Sequence, residues 1–165
     1  MYQHRMFVIA LLCLSMSYLA ERAIAQSAKD LVGAWIAVSN TAEQGGVKSE
    51  PYGANPQGML IFEPSGRYGL VLSMKDVPKI TSNNRTTGTP DENKAVVQGT
   101  IAHFGTYSIN EADKSITFRI ETSTFPNFNA TEQKRAFTLV GDELTYTVPA
   151  FSGGGTAVAK WKRAN

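Results

Sequence analysis

The sequence predicts an all-β fold, an eight-stranded antiparallel up-and-down barrel with one short helix. Three observations predict it. Tyr68, Leu70, Leu72 and Met74 alternate with Arg67, Gly69, Val71 and Ser73, a period of two that marks a strand with one buried face. Short turn signals join such runs: Glu63-Pro64-Ser65-Gly66-Arg67 and the pair Gly141-Asp142 both suit tight hairpins. Only one stretch carries a helix start. Antiparallel strands on short turns must hide their edges, and eight suffice to close a barrel that is filled or holds one small ligand. An open sandwich is the alternative.

The 165 residues fit one domain. Apolar residues make up 42% and charged residues 18%, which favours a packed core over disorder. The first 25 residues stand apart. His4 and Arg5 give a basic start, residues 6–19 are apolar, and Ala23-Ile24-Ala25 has the small-x-small form of a cleavage site. This predicts a signal peptide cut after Ala25 and a secreted or periplasmic barrel domain over 26–165. The competing reading is a retained anchor, for which the run falls short of the roughly 20 residues that span a bilayer. Cys13, the one cysteine, lies in this segment, and Leu12 before it does not suit lipid attachment. A mature chain therefore has no disulfide, thiolate nucleophile or sulfur ligand. Cleavage would remove two of 16 basic and one of 14 acidic residues, leaving a net charge of +1. Such a charge steers neither nucleic acid nor an anionic membrane.

Along the mature chain, 26–30 is a polar lead-in and 31–39 (LVGAWIAVS) reads as the first strand. Residues 41–57 are rich in Gly, Pro and Asn and read as loop. The 58–74 hairpin supplies strands two and three. Residues 75–89 read as a mobile surface loop. Thr89-Pro90-Asp91-Glu92 then forms a capping box with proline at the first helical position. Val97, Ile101 and Phe104 supply the apolar stripe of a helix expected to end near Ala102. Strands follow at 104–109 and 115–122, around the loop Asn110-Glu111-Ala112-Asp113-Lys114. The segment 123–131 contains Phe125-Pro126-Asn127-Phe128-Asn129, a loop whose two aromatic rings are expected to be exposed. Strands 134–140 and 143–148 flank Gly141-Asp142. Ser152-Gly153-Gly154-Gly155 reads as a flexible link into the last strand, 156–163.

Gly33-Ala34-Trp35 carries the Gly-x-Trp signature that opens lipocalins. The wider resemblance is to the lipocalin-like domain family, small bacterial and fungal proteins with a calycin-type barrel. It rests on LVGAW (31–35), EPYGANPQGMLIFEPSGRYGLVL (50–72), HFGTYSI (103–109), FPNF (125–128), EQKRAFTLVGDELTYT (132–147) and WKR (161–163). These cover nearly the whole mature chain in order. The resemblance implies the fold and a ligand-sized interior. It implies little about activity, although fungal relatives include pathway isomerases. One departure stands out: Ile116-Thr117-Phe118-Arg119 occupies a strand in which relatives often carry histidine, so no histidine site is carried over there.

In lipocalins the Gly-x-Trp tryptophan closes the barrel floor, which puts Trp35, Ala37 and Ser39 inside. On other strands the more apolar alternate set goes inside: Tyr68, Leu70, Leu72 and Met74; Tyr107 and Ile109; Ile116, Phe118 and Ile120; Phe137 and Leu139; Leu144, Tyr146 and Val148; and Trp161. Arg135 and Arg163 share parity with these sets, and a buried unpaired guanidinium costs several kcal/mol. Arg163 is expected beside the floor tryptophan, stacked on it. Arg135 has two readings. It pairs with an acid such as Glu121 or Glu132 at the rim, or it meets a ligand carboxylate or enolate bidentately. The tyrosine hydroxyls bond backbone carbonyls, or they dot an apolar pocket with polar points. The candidate ligand-binding residues are therefore Tyr68, Tyr107, Phe118, Arg135 and Tyr146. Trp35, Trp161 and Arg163 are the candidate floor.

Known catalytic signatures are scarce. His103, the one mature histidine, lacks a second imidazole or a cysteine for zinc. There is no Gly-x-Ser-x-Gly elbow and no phosphate loop between strand and helix. No cofactor or metal is expected. His103 reads as a general base near the barrel mouth or as a partner of its helix C-terminus. Asn84-Arg85-Thr86 and Asn129-Ala130-Thr131 fit the glycosylation pattern, relevant only in a eukaryotic secretory route. The favoured function is a carrier or sensor of a small apolar or weakly anionic ligand. The alternatives are an isomerase or cyclase for an enolisable or polycyclic substrate, with Tyr68, Tyr107 or His103 as proton donor, and a protein-binding module using Phe125 and Phe128.

Overall fold

The computed structural model describes residues 28–164; the expected signal peptide lies outside the described residues. A four-residue helix, α1 (Ala28–Leu31), leads into β1 (Gly33–Gln44) and a short return strand, β2 (Val47–Ser49). β3 (Gln57–Phe62) and β4 (Arg67–Ser73) form the hairpin around Gly66. There Gly66 has φ +86° and its N–H donates to Glu63 O at 3.0 Å, as the Pro-Ser-Gly turn requires. After α2 (Pro90–Gly99) come β5 (Thr100–Asn110), β6 (Ser115–Ser123), β7 (Thr131–Val140), β8 (Glu143–Val148) and β9 (Thr156–Arg163).

Each strand from β3 to β9 pairs antiparallel with the next, and β1 pairs with both β3 and β9. That double pairing closes an eight-stranded barrel, removes its edges and excludes the open sandwich. β2 only lengthens β1 into a lip. Alternation holds where it was expected: on β4, Tyr68, Leu70 and Leu72 are buried between exposed Arg67 and Val71, and β8 buries Leu144, Tyr146 and Val148.

Several expectations are corrected. β1 continues to Gln44 and β2 follows, so 41–57 is not all loop. A bulge between Ala37 and Ser39 shifts β1 against β9. Beyond it the buried residues are Asn40 and Ala42, not Ser39, because one extra residue reverses strand parity. Met74 falls past the end of β4 and is exposed. The expected helical stripe does not exist. α2 stops at Gly99, Ile101 and Phe104 belong to β5, and Val97 is 74% exposed. The 153–155 glycines form an ordered turn rather than a free link, with Phe151 N–H donating to Gly155 O at 3.0 Å and Gly154 N–H to Phe151 O at 2.9 Å.

The capping box of α2 is present in both directions. Glu92 reaches back to Thr89 N–H at 2.8 Å and also accepts from Thr81 N–H and Oγ1 at 2.9 and 2.6 Å. These donors, Thr81 first, bring its carboxyl down to about 2 and tie the 75–89 loop to the helix. Thr89→Ala should therefore lower the local stability of α2 by about 1 kcal/mol. Hydrogen exchange across 90–99 reads this directly, and unchanged protection would contradict it.

Candidate ligand-binding site

The lower end of the barrel is solid. Trp35 is fully buried, and its indole N–H donates to Leu31 O at 2.9 Å, which pulls α1 under the barrel. The Arg163 guanidinium sits 4.2 Å from the Trp35 ring centre, a cation–π contact. It also donates to Val32 O at 3.1 Å and Asp30 O at 2.6 Å, and its Nε lies 3.3 Å from Asp142. Gly33 explains the motif's first position. Its φ is +127° and a Cβ there would meet Arg163 Nη1 at 3.3 Å, so glycine both turns α1 into β1 and leaves room for the guanidinium. The Arg163 guanidinium and the Trp35 ring are thus in direct contact.

Above it, an aromatic layer fills the middle. Phe118 is fully buried, with its ring centre 4.8 Å from that of Tyr68 and 5.9 Å from those of Phe62 and Tyr146. Tyr107 lies off to one side. It is only half-buried, packs its ring 4.7 Å from Phe62, and donates its hydroxyl to Glu63 O at 3.1 Å.

In the mouth half lies a cavity of about 40 Å³. Arg135, Tyr146, Trp161, His103 and Asn40 supply its polar wall; Leu70, Leu72, Ile101, Val148 and Ala159 supply much of the apolar wall. That volume admits water-sized groups and is far below the roughly 300–1,000 Å³ of sites that enclose whole drug-sized ligands. Arg135 is 3% exposed and meets neither expected acid. Glu121 pairs with Arg67 at 2.9 Å and Glu132 with Arg119 at 2.8 Å on the outer wall. Register dictates this, because Arg119 faces Glu132 directly across β6 and β7. Arg135 instead donates to Gln133 Oε1 at 2.7 Å and lies 4.6 and 5.0 Å from the Phe118 and Tyr146 ring centres. The Tyr146 hydroxyl interacts with both Arg135 and Trp161.

His103 is not at a helix end. It stands inside β5, 5% exposed, with Nδ1 2.9 Å from the Tyr68 hydroxyl. Burial first, then the Arg135 charge, lowers its pKa to about 3, so it is neutral at pH 7. Burial raises the Tyr68 and Tyr146 phenols well above their ordinary value, with Arg135 opposing the rise. The site thus contains one fixed cation among neutral groups.

Tyr52, Ile101, Phe151 and Ser152 line both this cavity and an outer groove of about 630 Å³. The Tyr52 and Phe151 rings meet edge-on at 6.4 Å, and the Tyr52 hydroxyl bonds Ser152 while burial raises its pKa to about 12. The groove continues over Val96, Val97 and Phe125, which gives exposed Val97 a setting. Phe125 and Phe128 are half-buried rather than exposed, stacked edge-on at 5.0 Å, and Phe128 reaches the inner wall.

Of the candidate ligand residues, then, Arg135 and Tyr146 line the cavity. Tyr68 stands behind His103, while Phe118 and Tyr107 pack outside its wall. Trp161, expected in the floor, forms part of the cavity wall. Sequence reasoning missed Asn40, Tyr52 and Phe151. Asn40 turns inward only because of the β1 bulge, and nothing in local spacing brings the 50s and 150s loops together.

The family model for the lipocalin-like domain matches residues 32–164. No curated protein matches the chain.

Proposed function

The chain belongs to the lipocalin-like domain family, and we propose that it holds a small, largely apolar molecule in the mouth half of the barrel. The observation that carries this is the inner cavity. Its wall is mostly apolar, holds a few fixed polar groups, and shares four residues with a larger groove. Entry would require the Tyr52–Phe151 pair to swing outward and join the two spaces. With 1–25 as a secretory signal, the protein would act as an exported carrier or sensor.

Titration with the neutral fluorophore N-phenyl-1-naphthylamine tests the reading. Saturable binding is expected. Ala159→Val, which places two methyl groups in the cavity, should weaken it at least tenfold while leaving the far-UV circular dichroism unchanged. Equal binding in both chains would place the probe elsewhere and contradict the proposal.

One contact favours a second reading. The Tyr68–His103 hydrogen bond, buried beside Arg135, would let an isomerase pass a proton while the guanidinium holds an enolate. Tyr107 has no part in it, since its hydroxyl is held by Glu63 O. Exchange of an enolisable keto acid's α-proton in D2O, lost in Tyr68→Phe, would favour the enzyme. Binding without exchange would favour the carrier.

A further inference from the structure

Among the described residues, three buried side-chain atoms have no partner in good hydrogen-bond geometry: Arg135 Nε, Asn40 Oδ1 and Trp161 Nε1, the last of which has only the Tyr146 hydroxyl beside it. All three belong to residues that line the same inner cavity. Buried polar groups are ordinarily satisfied, so their coincidence at a single wall is informative. Two of them are donors, and one of those belongs to a guanidinium that cannot shed its charge. Among the described residues Arg135 has no carboxylate within ion-pair distance, and its neighbours are the Phe118 ring, Gln133 and Tyr146, the last through both its ring and its hydroxyl. A water would satisfy an N–H but would not neutralise the cation. An anion does both, and a carboxylate matches the guanidinium's planar fork.

Size decides the orientation. The inner cavity, about 40 Å³, accepts a head of a few atoms, whereas the groove beyond Tyr52 and Phe151, about 630 Å³, accepts the remainder. We infer that the barrel binds an apolar carboxylic acid head-first, with the carboxylate between Arg135 and Trp161 Nε1 and the apolar body running out past Tyr52 and Phe151. Asn40 Oδ1 would accept a hydrogen bond from a water or from a hydroxyl on the ligand. This rests on the ligand-binding reading above and adds to it the class of ligand and its direction.

The test compares 11-(dansylamino)undecanoic acid with its methyl ester, which differ only at the head. The wild-type chain should prefer the acid at least tenfold, and the preference should persist from pH 6 to 9 because both guanidinium and carboxylate stay charged. Arg135→Met should bring the acid to the ester's affinity. Trp161→Phe, which removes the N–H together with part of the indole, should cost the acid several-fold more than it costs the ester. Equal wild-type affinities for the two probes would overturn the head-first inference while leaving the cavity as a site for neutral ligands. Failure of both probes and of N-phenyl-1-naphthylamine to bind would remove the ligand-binding reading itself. The wild-type ratio decides the matter even if Arg135→Met does not fold.

Discussion

Trp35→Ala is expected to destabilise the barrel by about 3–5 kcal/mol, the range for deleting a large buried aromatic side chain. Three contacts go together. The fully buried ring leaves a void at the floor, Leu31 O loses the indole donor at 2.9 Å, and Arg163 loses the ring 4.2 Å beneath its guanidinium. Against a typical domain stability of about 5–15 kcal/mol, such a loss takes much of the total. Urea unfolding should show a lower midpoint with a similar slope. Arg163→Met, which removes the cation but not the ring, should cost less. A loss below about 1 kcal/mol for Trp35→Ala would mean that the floor is not where the barrel is held closed.

Acid should destabilise the protein through His103. An unfolded histidine titrates near 6.5, while the buried side chain in β5 does so at about 3. Between those values the unfolded chain binds more protons, so stability is full above pH 6.5 and falls as the pH drops toward 3. The slope is at most about 1.4 kcal/mol per pH unit, on the order of 3 kcal/mol by pH 4. The groups facing the imidazole are the Tyr68 hydroxyl, the Phe118 ring and the Arg135 charge. Glu92 and Asp113, whose pKa values are also depressed, act from their ordinary carboxylate range downward. The interval from about pH 5.5 to 6.5 therefore isolates the histidine. His103→Leu should flatten the stability profile there, whatever it does to the total. An unchanged slope would place the proton elsewhere.

Much of the fold was legible because alternation and turn chemistry are local. Tyr68, Leu70 and Leu72 face inward as their spacing says, and Gly66 and Gly141 sit in the turns their neighbours demand. Closure of the floor was legible through Gly33 and Trp35. The failures have a common cause: each depended on partners distant in sequence. The bulge after Ala37 exists only against β9. The apolar stripe Val97, Ile101 and Phe104 has helical spacing, yet β4 captures the last two as strand through Val71–Ala102 and neighbouring pairs. Arg135 was legible as an inward cation, but its separation from Glu121 and Glu132 was not, because those acids are engaged by Arg67 and Arg119 on the outer face. His103 shares the parity of Tyr107 in the sequence, but a helix expected to run to about Ala102 put it at a helix–strand junction instead of inside β5.

The central claim is that a small molecule enters the cavity walled by Trp161, and the two tryptophans of the chain allow it to be tested in one spectrum. Trp35 N–H is bonded to Leu31 O at the floor, whereas Trp161 lines the cavity with its N–H outside good hydrogen-bond geometry, beside the Tyr146 hydroxyl. In a 1H–15N correlation spectrum, titration with undecanoic acid should move the Trp161 indole peak progressively to saturation and leave the Trp35 peak in place. A Trp161 peak that stays fixed at saturating ligand, or two peaks that move alike, would contradict the account.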